Sequence, residues 1–153
     1  MRFMSNPLTW LMSRYRVRLL LRAAGRAREV VRYALVRPRH RHHFHIVSTQ
    51  RNVGPDVRRC LDSVHGQRYP RDRFRHLVID DASTDDTPAL IEAWCEQHPG
   101  HTVDLVQQSE RRGGTRNTLD GIRRVDGQSI VIELNGDDWL PDPGVLAFLN
   151  KVY

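Results

Sequence analysis

An α/β fold built on a mostly parallel sheet is predicted by two observations. From Phe44 onward, short apolar and β-branched runs alternate with longer stretches of helical periodicity, and polar turn residues separate one from the next. Each helical stretch is long enough to carry the chain back across a sheet, which is the βαβ arrangement. The first expected strand is 44–49, followed by 75–80, 102–107 and 129–134. Helices are expected at 55–66, at 88–98 with Pro88 opening it, and at 115–125. Residues 143–153 read as the helix that follows the last strand. The expected architecture is thus Rossmann-like but incomplete, occupying 44–153 and preceded by a basic amphipathic helical arm and linker over 1–43.

Composition supports one globular domain. The 153 residues are 39% hydrophobic and 27% charged, which excludes a fibrous or wholly disordered chain. The net charge of +6 is unevenly distributed: residues 1–45 hold 11 of the 24 basic side chains and a single acid, Glu29. The remainder carries 13 basic and 17 acidic side chains, a net of −4. Basicity therefore belongs to the arm, and nucleic acid is not an expected partner of the folded body. Cys60 and Cys95, the only cysteines, show no metal-type spacing and no disulfide framework. Arginines interrupt the first segment before any apolar run reaches the ~20 residues needed to cross a bilayer, so a cytoplasmic location is expected.

Within the arm, Leu8, Leu11, Tyr15, Leu19, Ala23, Ala27 and Val31 recur every three or four residues beside a stripe of Arg14, Arg18, Arg22 and Arg26. This pattern over 8–36 suits peripheral contact with an anionic membrane surface, aided by Trp10 and Phe3. It equally suits a helix packed on a partner domain, and an organelle-targeting peptide is a further reading. Pro38 ends the pattern. His40, His42, His43 and His45 follow in a segment without carboxylate or cysteine partners, so a solvated linker is expected there rather than a zinc site.

In an open parallel sheet, ligands bind beyond the carboxyl ends of the strands. Four loops lie there: 50–54, 81–87, 110–114 and 135–141. Two of them present adjacent acids, Asp80 with Asp81 and Asp137 with Asp138. Each pair alone reads as turn chemistry, with Asp86 or Thr87 capping the helix at Pro88 and Asn135-Gly136 forming a plain turn. Together they concentrate four carboxylates on one edge, a repulsion that a hard divalent cation relieves. Mg2+ or Mn2+ suits such oxygen ligands and bridges to nucleotide phosphates. Arg111, Arg112, Gly113, Gly114 and Arg116 add cationic groups and free backbone N–H groups just before a helix. Neither a G-x-x-x-x-G-K-[ST] nor a G-x-G-x-x-G motif is present, which removes the main support for an ATPase or a dinucleotide oxidoreductase.

These segments resemble the inverting family 2 glycosyltransferases of GT-A fold. The resemblance runs from residue 44 to about 150 and follows the family's order. A first strand ends in a polar turn with Asn52. Then come C-L-D-S-V-H-G-Q-R-Y-P from Cys60, V-I-D-D-A-S-T-D-D-T from Val78, G-G-T-R-N from Gly113 and E-L-N-G-D-D-W-L-P-D from Glu133. The resemblance implies a nucleoside-diphosphate sugar donor, with Thr49 and Asn52 near the nucleoside, Asp80 and Asp81 in the donor site, and Asp81 on the base. It implies a diphosphate near Arg116, the D-x-D position at Asn135-Gly136-Asp137, and Mn2+ or Mg2+ held by Asp137 beside Asp138. Asn135 departs from the motif: an amide hydrogen-bonds a ribose hydroxyl but adds no charge, which lowers the expected metal affinity.

The implied reaction is inverting, metal-dependent transfer of the sugar to an acceptor hydroxyl, the acceptor being a glycan, lipid, protein or small molecule. The catalytic base is expected beyond Tyr153, so the chain reads as truncated after the D-x-D region. Two other readings remain: a sugar nucleotidyltransferase, disfavoured because Gln50-Arg51-Asn52 is no Gly-rich loop, and a non-catalytic module that associates with membranes or nucleic acid through the basic arm.

Overall fold

In the computed structural model, residues 40–153 are described, and they form one compact unit, His40–Tyr153. The basic arm and its expected membrane contact through 8–36 lie outside the described residues. Four strands form the sheet: β1 (Phe44–Gln50), β2 (Phe74–Asp80), β3 (Val103–Gln107) and β4 (Ile130–Asn135). Their order is β3-β2-β1-β4, and every pairing is parallel. The sheet meets the expectation, with strand ends shifted by one residue.

β1 is buried along its whole length because it is paired on both sides and covered on both faces. Alternation along the strand sends Phe44, Ile46, Ser48 and Gln50 to one face and His45, Val47 and Thr49 to the other. The first face packs against α1 (Asp56–His65), α2 (Thr87–Gln97) and α4 (Val145–Val152). Two apolar clusters join there, one around Phe44, Ile46, Val64, Leu134 and Leu146 and one around Leu61, Val78, Ile91 and Trp94. α1 is helical because Val57, Cys60, Leu61 and Val64 fall on one stripe. It stops at Gly66, whose N–H returns to the Asp62 carbonyl.

The second face is covered by α3 (Gly114–Arg123), which lies against Val47, Leu77 and Ile79. Gly121 makes that approach work: a Cβ there would stand 2.6 Å from Val47 Cγ1 and 3.1 Å from Ile79 Cδ1. Only glycine lets this helix lie so close to the sheet.

Capping departs from expectation. Neither Asp86 nor Thr87 caps α2 through its side chain. Thr87 Oγ1 instead accepts the N–H groups of Val53 (3.1 Å) and Gly54 (2.9 Å), so it ties two loops together. The histidine-rich approach to β1 is also engaged rather than solvated along its length. His45 is inside β1, His40 meets Tyr69 edge to face, and Arg41 and His42 donate backbone N–H groups to Asn150 Oδ1. Cys60 and Cys95 are free thiols, and burial pushes Cys60 up to about 11. Among the described residues no helix is long and apolar enough to cross a membrane.

Candidate functional site

Parallel strands deliver their following loops to one edge, and the strand order sets which loops touch. β1 sits between β2 and β4, so the loop after β1 is flanked by the two acidic loops. The ladder continues past the strand ends: Asp81 N–H donates to the Gln50 carbonyl (2.9 Å) and Gly136 N–H to the Thr49 carbonyl (3.0 Å).

The loops after β1 and β2 are zipped together. Arg51 Nη1 donates to the carbonyls of Asp81 (2.8 Å) and Ala82 (2.6 Å). Asn52 N–H donates to Ser83 Oγ (2.9 Å), and Thr84 N–H donates to Asn52 Oδ1 (2.8 Å). Asn52 and Ala82 take left-handed φ values of 51° and 52°. A left-handed alanine costs roughly 1–2 kcal/mol, and the Arg51 clamp on its carbonyl holds it there. Asn52 thus sits at the carboxyl edge of the sheet with its amide committed to this zipper.

The first acidic pair divides by strand alternation. Asp80, the last residue of β2, accepts from Ser83 N–H (3.0 Å) and from the Ser83 hydroxyl, closing its own turn. Asp81 turns toward α3, where it accepts from Arg112 N–H (2.7 Å), Gly113 N–H (3.0 Å) and Asn117 Nδ2 (2.7 Å). Burial opposes ionisation of Asp81. The bonds from Arg112, Asn117 and Gly113, with the Arg51 guanidinium nearby, outweigh it and hold the carboxyl below the ordinary carboxylate range. Gly113, at φ 89°, supplies the left-handed turn that aims those amides.

Arg116 stands exposed in the first turn of α3, where the helix dipole adds to its positive charge. Arg112 pairs with Asp120 at 3.1 Å. A groove of about 450 Å³ runs along this helix, between Arg112, Arg116 and Arg123.

On the other side of β1, Asn135 ends β4 opposite Thr49 in register, and Asp138 N–H closes a turn onto the Asn135 carbonyl (3.0 Å). Asn135, Asp137 and Asp138 are exposed, and Asn135 Nδ2 donates to Asp138 Oδ2 (3.1 Å). Gly136 here is no generic turn residue, because a Cβ on it would lie 2.4 Å from Gln50 Cβ. Arg59 of α1 lies over the exposed Trp139 ring, 3.2 Å from its centroid.

The expectation that four carboxylates share one cation is not met. Asp80 is held by Ser83 within its own turn and Asp81 by Arg112, Gly113 and Asn117 at the start of α3, and among the described residues no group of three or more His, Cys, Asp or Glu side chains could hold a metal ion. What remains is Asp137, with no hydrogen bond or ion pair among the described residues, beside Asp138. One or two carboxylates that leave most positions open suit a hard cation completing its shell with water and phosphate oxygens, rather than a closed protein cage. The donor set fits Mg2+ or Mn2+ in that limited sense.

Residues 45–152 match the family model of glycosyl transferase family 2. The chain belongs to that family. The match covers the sheet, the Asp81 anchor and the Asn135–Asp138 turn alike, and it displaces the nucleotidyltransferase reading. This family 2 domain is 34% identical to a mannosyltransferase from Pyrobaculum calidifontis, PcManGT, solved in complex with GDP-Man and Mn2+. The TM-score is 0.66 over 72% of this chain and 32% of that one. TarS 1–349 from S. aureus, solved with UDP-GlcNAc, shares the fold at a TM-score of 0.62 and 21% identity, over 71% of this chain and 30% of that one. The glycosyltransferase AglE of Haloferax volcanii is 27% identical over 86 residues, 56% of this chain and 27% of AglE. The chain thus spans about a third of the length of the relatives it matches.

Several residues that shape this edge carry no clear mark in the sequence. Asn117 lies in the G-G-T-R-N segment, yet its bond to Asp81 depends on α3 returning beneath β2. Gln50, Arg51 and Thr87 act across loops thirty or more residues apart.

Proposed function

We propose that this domain binds a nucleoside-diphosphate sugar at the carboxyl edge of its sheet and serves a metal-dependent, inverting transfer of the sugar to an acceptor hydroxyl. The observation that carries the reading is the anchoring of the arginine- and glycine-rich loop by Asp81. A buried, ionised carboxylate holds the Arg112–Gly113 turn, which fixes the start of α3 and with it Arg116, beside the second acidic turn across β1.

Under this reading Asp81 orients the loop and borders the nucleoside, with Thr49 and Asn52 lining the same crevice. Asp80 stiffens the turn between them. Arg116 and the α3 N-terminus attract the diphosphate, and Asn135 offers its Oδ1 to a ribose hydroxyl. Asp137 and Asp138 would hold the divalent cation, which when bound neutralises charge on the departing nucleoside diphosphate. The 34% identity to a protein solved in complex with GDP-Man and Mn2+ supports testing that donor and metal first. The acceptor is a glycan, lipid, protein or small molecule. A cytoplasmic location, with the arginine stripe of 8–36 against an anionic membrane face, accords with the charge pattern of the arm.

Calorimetry with GDP, UDP and their sugars, with and without Mn2+, tests the reading. Metal-enhanced binding that is lost in Asp137→Ala is the expected result. Absence of binding by every nucleoside diphosphate, with metal present, overturns it.

A further inference from the structure

Gln50 ends β1, an interior strand of the sheet, and is 5% exposed. Among the described residues, both its Oε1 and its Nε2 are buried without a hydrogen-bond partner. Nearby groups are spent elsewhere: Asp80, its register partner, is committed to Ser83, and Asp81 to Arg112, Gly113 and Asn117. Gly136 is kept free of a side chain at this point, since a Cβ there would stand 2.6 Å from Gln50 Oε1. Burying both ends of a carboxamide unpaired is costly, and a methionine would fill the space without that cost. The amide is therefore built to meet something absent from the free protein.

We propose that Gln50 is a recognition residue for the nucleoside part of the ligand, its carboxamide completed by a group that presents a hydrogen-bond donor and an acceptor side by side. This inference rests on the nucleotide-sugar reading above. The chemistry excludes the diphosphate as the sole partner, because phosphate oxygens only accept and would leave Oε1 unpaired. A nucleoside carries the required pair in two places, the amide-like edge of its base and the vicinal hydroxyls of its ribose. Gln50 lies between the Asp81 loop and the Asn135–Asp138 turn, the two elements that border the nucleoside and the diphosphate under that reading.

The test is calorimetry on the full chain and on Gln50→Met and Gln50→Glu, with Mn2+. The probes are GDP and UDP, their 2′,3′-dideoxy counterparts, and inorganic pyrophosphate. Gln50→Met removes both polar atoms at similar volume, so its melting temperature without ligand is expected at or above that of the parent protein. Its affinity for GDP or UDP is expected to fall about tenfold or more, with pyrophosphate binding unchanged. Gln50→Glu, which turns the Nε2 donor into an acceptor, should show the same selective loss and serves if the methionine variant fails to fold.

If the base is the partner, the dideoxy nucleotides lose as much affinity in the variants as GDP and UDP do. If the ribose is the partner, parent and variants bind the dideoxy nucleotides alike. Variants that bind GDP and UDP as tightly as the parent overturn the inference and leave the nucleotide-sugar reading standing, as does an equal loss for pyrophosphate. A parent protein that binds no nucleoside diphosphate sinks both.

Discussion

Lowering the pH from 7 to 5 should destabilise this domain well before its carboxylates titrate, because histidines are buried in it as neutral bases. His76 is fully buried, with Nε2 2.8 Å from Ser48 Oγ and Nδ1 3.4 Å from His65 Nε2. His65 is 4% exposed, and its ring centroid lies 4.9 Å from those of Trp94 and His101. Burial lowers both imidazoles to about 3, with His101, Arg71 and His98 adding to the effect at His65 and His65 itself adding to it at His76. The unfolded chain binds these protons near pH 6.5 and the native state only near pH 3, so stability falls as the pH drops through that window. At pH 5 each such group costs roughly 2 kcal/mol, and the pair about 4 kcal/mol, a large share of a small domain's stability. Urea unfolding followed by circular dichroism from pH 7.5 to 4.5 reads this directly. The expected slope approaches two protons below pH 5.5, and His65→Phe, which keeps an aromatic ring against Trp94, should remove about one of them. An unfolding free energy that stays flat from pH 7 to 5, or a slope unchanged by His65→Phe, would refute the reasoning.

Two further changes probe the packing and the anchor. Gly121→Ala places a methyl group within 2.6 Å of Val47 Cγ1, and overpacking of this kind costs about 1–3 kcal/mol, visible as a lower urea midpoint with an unchanged m-value. Asp81→Asn turns one accepting oxygen into a donor that faces the N–H groups of Arg112 and Gly113 or the amide of Asn117. It is expected to cost about 1–3 kcal/mol of stability, speed amide hydrogen exchange at Arg112 and Gly113, and weaken nucleoside diphosphate binding. Unchanged exchange in that loop would show that Asp81 does not hold it.

The order of elements was legible because hydrophobic periodicity is local. The run of 44–49 reads as a buried strand, and the spacing of Val57, Cys60, Leu61 and Val64 as a helix, whatever lies elsewhere in the chain. The carboxyl-edge location of the candidate site follows from that order, since parallel strands send their loops to one side, and the ordered motifs named the family. The partners of the side chains were not legible. Asp80 and Asp81 are adjacent in the sequence, yet strand alternation and the return of α3 separate their carboxylates, so the shared cation inferred from their number is not required. His65, His76, His98 and His101 are spread over the sequence, and only the packing of α1 and α2 on one face of the sheet gathers them.

The sequence by itself determined the strands, the helices, the parallel sheet and the family, since each rests on spacing within a short window or on motifs in a fixed order. The tertiary structure alone decided which polar groups are satisfied. It closed Asp80 into a turn, tied Asp81 to the start of α3, gave Thr87 to the neighbouring loop and left the Gln50 carboxamide without a partner among the described residues. The physical reason is that hydrogen bonds form between atoms about 3 Å apart, a distance that chain order does not encode for residues thirty or more positions apart.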